Sequence, residues 1–269
     1  MHMGIVGIGL RINPHGSCIM MKFWKTGLTL CVLAGALACK DSTGPASPPV
    51  SLSFSTKTLN SSGAIMQANG PAFDVAVTGG GNTLIITRVQ MVVRKIELKR
   101  SNTATCPEVV PSNSDDCEEL SIGPLLLDLP LTTAILTPVS VSIPAGTYRE
   151  LELKLHKPGD DARDQAFKTA NPAFADTSIR VQGTYNGRAF VFTSRVSEEM
   201  ELEFNPPLTI GATGGNVTVQ IDVAAWFRSA SGAVIDPATA NIGGLNEGIV
   251  KANIKASFRA LEDDDRDGK

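Results

Sequence analysis

The stretch Ser178–Val196, SIRVQGTYNGRAFVFTSRV, decides the fold. Asn186-Gly187 is the preferred pair for a two-residue type I′ turn, in which both central residues take positive φ. That turn sets Tyr185 opposite Arg188. Counting outward puts Gly183 against Phe190, Val181 against Phe192 and Arg180 against Thr193. The apolar residues then share one side, the condition that fixes register when one face of a hairpin is buried. Phe190 is placed to cover the gap left by Gly183.

Alternation of period two continues on either side of this hairpin. VSLSF aligns Val50, Leu52 and Phe54, and FDVAV aligns Phe73, Val75 and Val77. LIITRVQMVVRKIELKR carries Val89, Met91 and Val93 on one parity, then Ile96 and Leu98 on the other. A β-bulge at Arg94-Lys95 would return both halves to the core face. GPLLLDLP reads as an apolar strand between turns. VSVSIPAGTYRELELKLH points Val139, Val141, Ile143, Leu151, Leu153 and Leu155 inward, leaving Glu150, Glu152, Lys154 and His156 on a solvated face. KPGDDARDQAFKTANP reads as a long connection with room for one helical turn. EMELEF sends Met200, Leu202 and Phe204 inward, and NVTVQIDVAAWF does so with Val217, Val219, Ile221 and Val223. GAVID reads as a short return strand.

Many short alternating strands separated by turns define an all-β protein, an antiparallel β-sandwich of immunoglobulin-like or transthyretin-like kind. The ending differs. In NEGIVKANIKASFRAL, Val250, Ile254, Phe258 and Leu261 recur at helical spacing, so a C-terminal amphipathic helix is expected to pack on the sandwich. ITRVQMVVRKIELKR, then PAGTYRELELKL after an apolar strand, and a following all-β half together resemble a family of bacterial secreted or lipid-anchored domains of unknown function. The similarity spans roughly Phe73 to Phe227. It implies an envelope location and a β-sandwich, and it supplies no catalytic residues.

The N-terminal region reads as an export signal. A basic segment with Lys22 and Lys25 precedes the apolar TGLTLCVLAGALA, Thr26–Ala38, which has the length of a signal-peptide core. The residues before Met20 read as an upstream start. Small residues then meet Cys39 in a pattern resembling a lipobox, with Ala36 where Leu is usual. On that reading Cys39 is lipidated and becomes the first residue; the competing reading is ordinary cleavage after Ala38, giving a soluble exported protein. Lys40 beside Cys39 favours the outer membrane by resemblance to sorting rules in other bacteria. The expected organisation is a signal region at 1–38, the lipidated Cys and a flexible tether at 39–49, a sandwich at 50–245, the helix at 246–261 and an acidic tail at 262–269.

Cys106 and Cys117 bound the polar loop CPEVVPSNSDDC and read as a disulfide in an oxidising compartment. Zinc lacks ligands there, because His156 is the one histidine after Cys39 and no C-x-x-C occurs. The 269 residues are 42% hydrophobic and 19% charged, a globular balance. From Cys39 onward the chain keeps 21 of its 24 basic residues, having lost Arg11, Lys22 and Lys25, against all 27 acids, a net −6. An acidic chain without a basic stripe argues against nucleic acid.

Candidate chemistry is sparse. Asp263, Asp265, Asp267 and Gly268 match the opening of a calcium loop, but the sequence holds no bidentate Glu after them. A weak calcium site and a solvating tail are both open, and no other cofactor is expected. Glu199, Glu201 and Glu203 form a row on one strand face, where like neighbours give no acid and base division. His156 has no G-x-S-x-G or free thiol near it in sequence. TGGGN at Thr78 and GATGGN at Gly211 read as turns. Trp226 and Phe227 offer either an aromatic platform or the closure of one end of the core. No enzyme is expected. The leading reading is an envelope lipoprotein whose partners are the membrane, through its lipid, and an unknown envelope protein or glycan. A calcium-assisted carbohydrate-binding module is the alternative, and a carboxylate hydrolase follows at a distance.

Overall fold

The structure is a computed structural model, and it describes residues 48–56, 64–67, 74–101, 117–132 and 134–264. Its elements in chain order are β1 (Pro49–Thr56), β2 (Ala64–Gln67), β3 (Asp74–Gly79), β4 (Asn82–Arg100), β5 (Cys117–Asp128), β6 (Leu136–Ser142), β7 (Gly146–Leu155), α1 (Ala162–Ala170), β8 (Ile179–Tyr185), β9 (Arg188–Ser194), β10 (Glu198–Ile210), β11 (Gly215–Ile221), α2 (Glu247–Lys255) and β12 (Phe258–Glu262). They form a β-sandwich of one eight-stranded and one four-stranded sheet, with a C-terminal helix.

β4 is the axis of the large sheet. Its first half pairs with β3 and β8, and its second half with β5 and β7. β2, β9 and β10 extend these partners outward. A strand of 19 residues keeps one face in the core only if its parity is reset along the way. The register shifts at Val93/Lys95, where the change of parity predicts a bulge, and also between Ile86 and Arg88. Leu84, Ile86, Val89, Met91, Val93, Ile96 and Leu98 are all buried as a result.

The small sheet runs β12-β11-β1-β6. Most pairs in the fold are antiparallel, as expected, but β1 and β11 run parallel, from Val50 beside Gly215 to Thr56 beside Ile221. Phe54, Val219 and Ile221 from this sheet join Leu84, Met91 and Leu153 from the large one in a single buried cluster. Each such side chain contributes about 1.5–3 kcal/mol by leaving water.

The β8–β9 hairpin has the expected register, from Tyr185 opposite Arg188 to Arg180 opposite Thr193. Asn186 and Gly187 take φ of 48° and 78°, as a type I′ turn demands. Gly183 has a stronger reason than a gap for Phe190 to fill. A β-carbon there would lie 1.9 Å from the carbonyl oxygen of Ile85, beside the first bulge of β4. Phe192 meets Phe227 edge-on at 5.0 Å and fastens the hairpin to the core.

Four expectations are corrected. The helix does not extend over 246–261: α2 ends at Lys255, and Phe258–Glu262 pairs with β11 instead. Val250 and Ile254 are buried at helical spacing, but Phe258 and Ala260 also alternate, and the free edge of β11 selects that second pattern. The 157–172 connection holds a full helix, α1, whose N-terminus is capped by the Asp161 side chain accepting the Asp164 amide. GAVID forms one bridge, Arg228 to Val234, rather than a strand. Val223 likewise leaves β11 for a short 3-10 turn capped by Asp222.

Candidate functional site

The outer face of the large sheet carries a lattice of charge across β4, β7 and β10. Register sets Lys95, Lys154 and Glu199 in one row, Glu97, Glu152 and Glu201 in the next, and Lys99, Glu150 and Glu203 in a third. The middle row is wholly acidic, and lysines from the flanking rows reach into it. Lys95 contacts Glu97 at 2.7 Å, and Lys99 contacts both Glu150, at 2.8 Å, and Glu152. Lys154 pairs with Glu199. This face is not simply solvated, since Glu97 and Glu152 are buried. Burial pushes the Glu97 carboxyl up, and the pull of Lys95 does not fully offset it. Burial works against the charge on Lys99, but its hydrogen bonds to Glu150 and Glu152 prevail and hold it above the ordinary lysine range.

Glu150, Glu152 and Glu201 bring carboxylate oxygens within 4.8 Å of one another, a spacing able to hold a cation. Two of the three already share the Lys99 ammonium, which offsets part of their charge from inside the chain. Sequence periodicity shows that these acids share a face, but only cross-strand register shows that they converge.

His156 is corrected from an exposed strand end to a buried residue. Its Nε2 lies 2.9 Å from both oxygens of Asp164, which is itself 1% exposed. Arg94 contacts Asp164 at 3.2 Å and Asp161 at 2.6 Å, and the Gly159 amide donates to Asp164. The reason is α1. Its Phe167, with Phe174, packs on Val92 and Leu126 and covers this part of the outer face, closing His156 off from water. The arrangement fastens a helix to a sheet. The bulged Arg94 supplies the cation, so the parity reset that preserves the core also builds the latch.

Trp226 and Phe227 are each 0% exposed. Trp226 donates its indole N–H to the Ser257 hydroxyl at 2.7 Å. Neither ring presents a face to a ligand, so both belong to the core-closing reading. Asp263 is not part of a solvated tail: it is 2% exposed, and its Oδ2 accepts from Thr218 at 2.6 Å. Asn216 donates to the Asp263 carbonyl and accepts from Ser53, extending a buried polar chain behind the small sheet. Asp265 and Asp267 lie outside the described residues, as do Cys39 and Cys106, while Cys117 opens the backbone of β5.

The loops separate to two ends of the sandwich. Pro49, where the chain enters β1, lies at the end where β11 begins, beside Gly214 and Gly215. At the other end β11 runs into residues 223–234. There the Val234 amide donates to the Gly79 carbonyl, Arg228 donates to the Thr78 carbonyl, and Asn186 is bonded to Asn82 and Thr83. The β3–β4 turn, the β8–β9 turn and the 229–238 loop therefore gather opposite the entry of the chain. A groove of about 530 Å³ opens beside them, lined by Tyr185, Asn186, Arg188, Ala189, Phe190, Asp236 and Ala238. A second groove, of about 510 Å³, lies between the edge strands β10 and β12, with Glu201, Glu203, Glu262 and Arg259 among its lining residues.

No family model matches the chain, and no curated protein or solved structure matches it.

Proposed function

We propose that this chain is a lipid-anchored protein of the bacterial cell envelope, at the outer membrane facing the periplasm or the surface. Its β-sandwich serves there as a structural or protein-interaction module and not as an enzyme. The observation that carries this reading is the arrangement around Cys39: an apolar run closing in Ala36-Leu37-Ala38, the thiol, then KDSTGPASPP leading into Pro49, the first residue of β1. That tether, fully extended, reaches about 30–35 Å, enough to hold the domain clear of a lipid surface. A single anchor of several acyl chains provides stable attachment, at about 0.8 kcal/mol per buried methylene.

Engagement of the titratable groups favours a non-catalytic role. His156 is held by Asp164, and Glu150 and Glu152 are held by Lys99, so each is committed to a partner within the fold. A carbohydrate role running through Trp226, Phe227 and Asp263 loses its support, because all three are buried. Replacing Cys39 with Ser and fractionating cells tests the anchor. The variant is expected in the soluble fraction or as unprocessed precursor without lipid mass. A variant with the wild-type membrane association and mass increment would end the assignment. In the same protein, alkylation with and without reductant tests whether Cys106 and Cys117 are joined.

A further inference from the structure

We infer that the groove beside the β8–β9 turn, at the end of the sandwich away from the entry of the chain, binds a neutral saccharide ring. The observation behind this is a set of unengaged polar groups around an aromatic wall. Tyr185 and Phe190 are both half-buried and pack against the core from this side. Both residues also line the groove. Arg188 is exposed beside them. Among the described residues, neither its guanidinium nor the Tyr185 hydroxyl has a hydrogen-bond partner. Asp236 uses Oδ1 to cap the Ala238 amide at 2.9 Å, and its Oδ2 takes no donor among the described residues. Asn186, by contrast, is committed to Thr83 and Asn82 and acts as a fixed wall.

These features select a class of ligand. A groove of about 530 Å³ falls in the range of small-molecule sites, with room for one or two sugar rings. A pyranose has an apolar C–H face suited to a tyrosine or phenylalanine ring and a rim of hydroxyls that both donate and accept. Arg188 supplies donors only, ionised Asp236 supplies acceptors only, and the Tyr185 hydroxyl supplies either. One cation against one anion leaves no net charge to attract phosphate or nucleic acid. Two turns frame the site, and Asn186 at φ 48° is hydrogen-bonded from one to the other, which lowers the ordering cost of binding.

The site does not depend on the anchor. Within the sandwich, the groove lies at the end opposite Pro49, where the chain enters β1. The test uses the full chain, extracted in detergent, on an array of glucans, N-acetylglucosamine oligomers and uronate polymers, followed by calorimetry with the glycans that score. Binding to a neutral glycan is expected. Arg188→Ala and Tyr185→Phe should weaken it by about tenfold or more, and Asp236→Asn, which keeps the cap, by a similar factor. Circular dichroism of each variant shows whether the fold is intact. A silent array, a preference for the uronates alone, or neutral-glycan binding that survives Arg188→Ala and Tyr185→Phe would each overturn the inference. None of these outcomes bears on whether Cys39 carries lipid.

Discussion

The Nε2 of His156 lies 2.9 Å from both oxygens of Asp164, across the junction between β7 and α1. Asp164 is 1% exposed and also receives Arg94 and the Gly159 amide. Removing this carboxylate leaves the His156 ring and the Gly159 amide without this acceptor, while Arg94 keeps only Asp161. Asp164→Ala is therefore expected to lose about 3 kcal/mol, the scale for breaking a buried pair from one side. Urea denaturation measures it. A loss below about 0.5 kcal/mol, typical of surface positions, would mean that α1 is not held this way.

Asp161 caps α1 and contacts Arg94 at its outer end. The hydrogen bond from the Asp164 amide, then the Arg94 guanidinium, hold its carboxyl below the usual aspartate value. A depressed carboxylate stabilises the fold above its unfolded pKa, and this support fades as pH falls through the folded value. Wild type should accordingly be more stable than Asp161→Ala at neutral pH. The gap should narrow steadily in acid, below the ordinary value of 3.8. Thermal melts of both proteins across that range decide it; a gap that widens in acid contradicts the assigned contacts.

Gly183 and Gly187 sit in one hairpin but are required for different reasons. Gly187 needs its φ of 78° yet has open space around it, so Ala there should cost about 1 kcal/mol. At Gly183 the obstacle is the Ile85 carbonyl, 1.9 Å from where the new carbon would sit, and backbone must move. Gly183→Ala should cost at least about 2 kcal/mol and exceed the Gly187→Ala loss. Equal losses would show that β8 can slide on β4.

The contrast also marks how far the sequence could be read. Local chemistry was sufficient for the hairpin, since the Asn186-Gly187 turn fixes every pair to Arg180–Thr193. The bulge near Arg94 follows from a parity change, and the same signal, between Ile86 and Val89, encodes the earlier bulge. Features set by distant partners were hidden. Phe258 suits a helix and a strand equally, and only the open edge of β11 decides between them. His156 reads as solvated because its neighbours alternate, whereas α1, folded over it from elsewhere in the chain, buries it. The Tyr185 groove combines two segments some fifty residues apart, and the Asn186-Gly187 turn in one of them signals a hairpin and not a ligand. Trp226 and Phe227 left two readings open in sequence, and burial distinguishes them.

Glu97 tests the balance within the charge lattice. It is 5% exposed, opposite Glu152 in the acidic row, with Lys95 at 2.7 Å. Desolvation is the leading influence and raises its folded pKa above the ordinary 4.5, and Glu152 adds to the rise, while Lys95 and Lys99 pull the other way. For a carboxyl with a raised folded pKa, the fold prefers the protonated form. Its favourable contribution is complete below the unfolded pKa and is lost as pH climbs through the folded one. Glu97→Gln keeps the volume and an acceptor for Lys95 but cannot ionise. Relative to wild type the variant should therefore gain stability as pH rises above the ordinary 4.5, with little change below it. Denaturant midpoints for both proteins at matched ionic strength give the difference directly. Drift in wild type's favour over the same interval would show that pairing with Lys95 outweighs the cost of taking the carboxylate out of water.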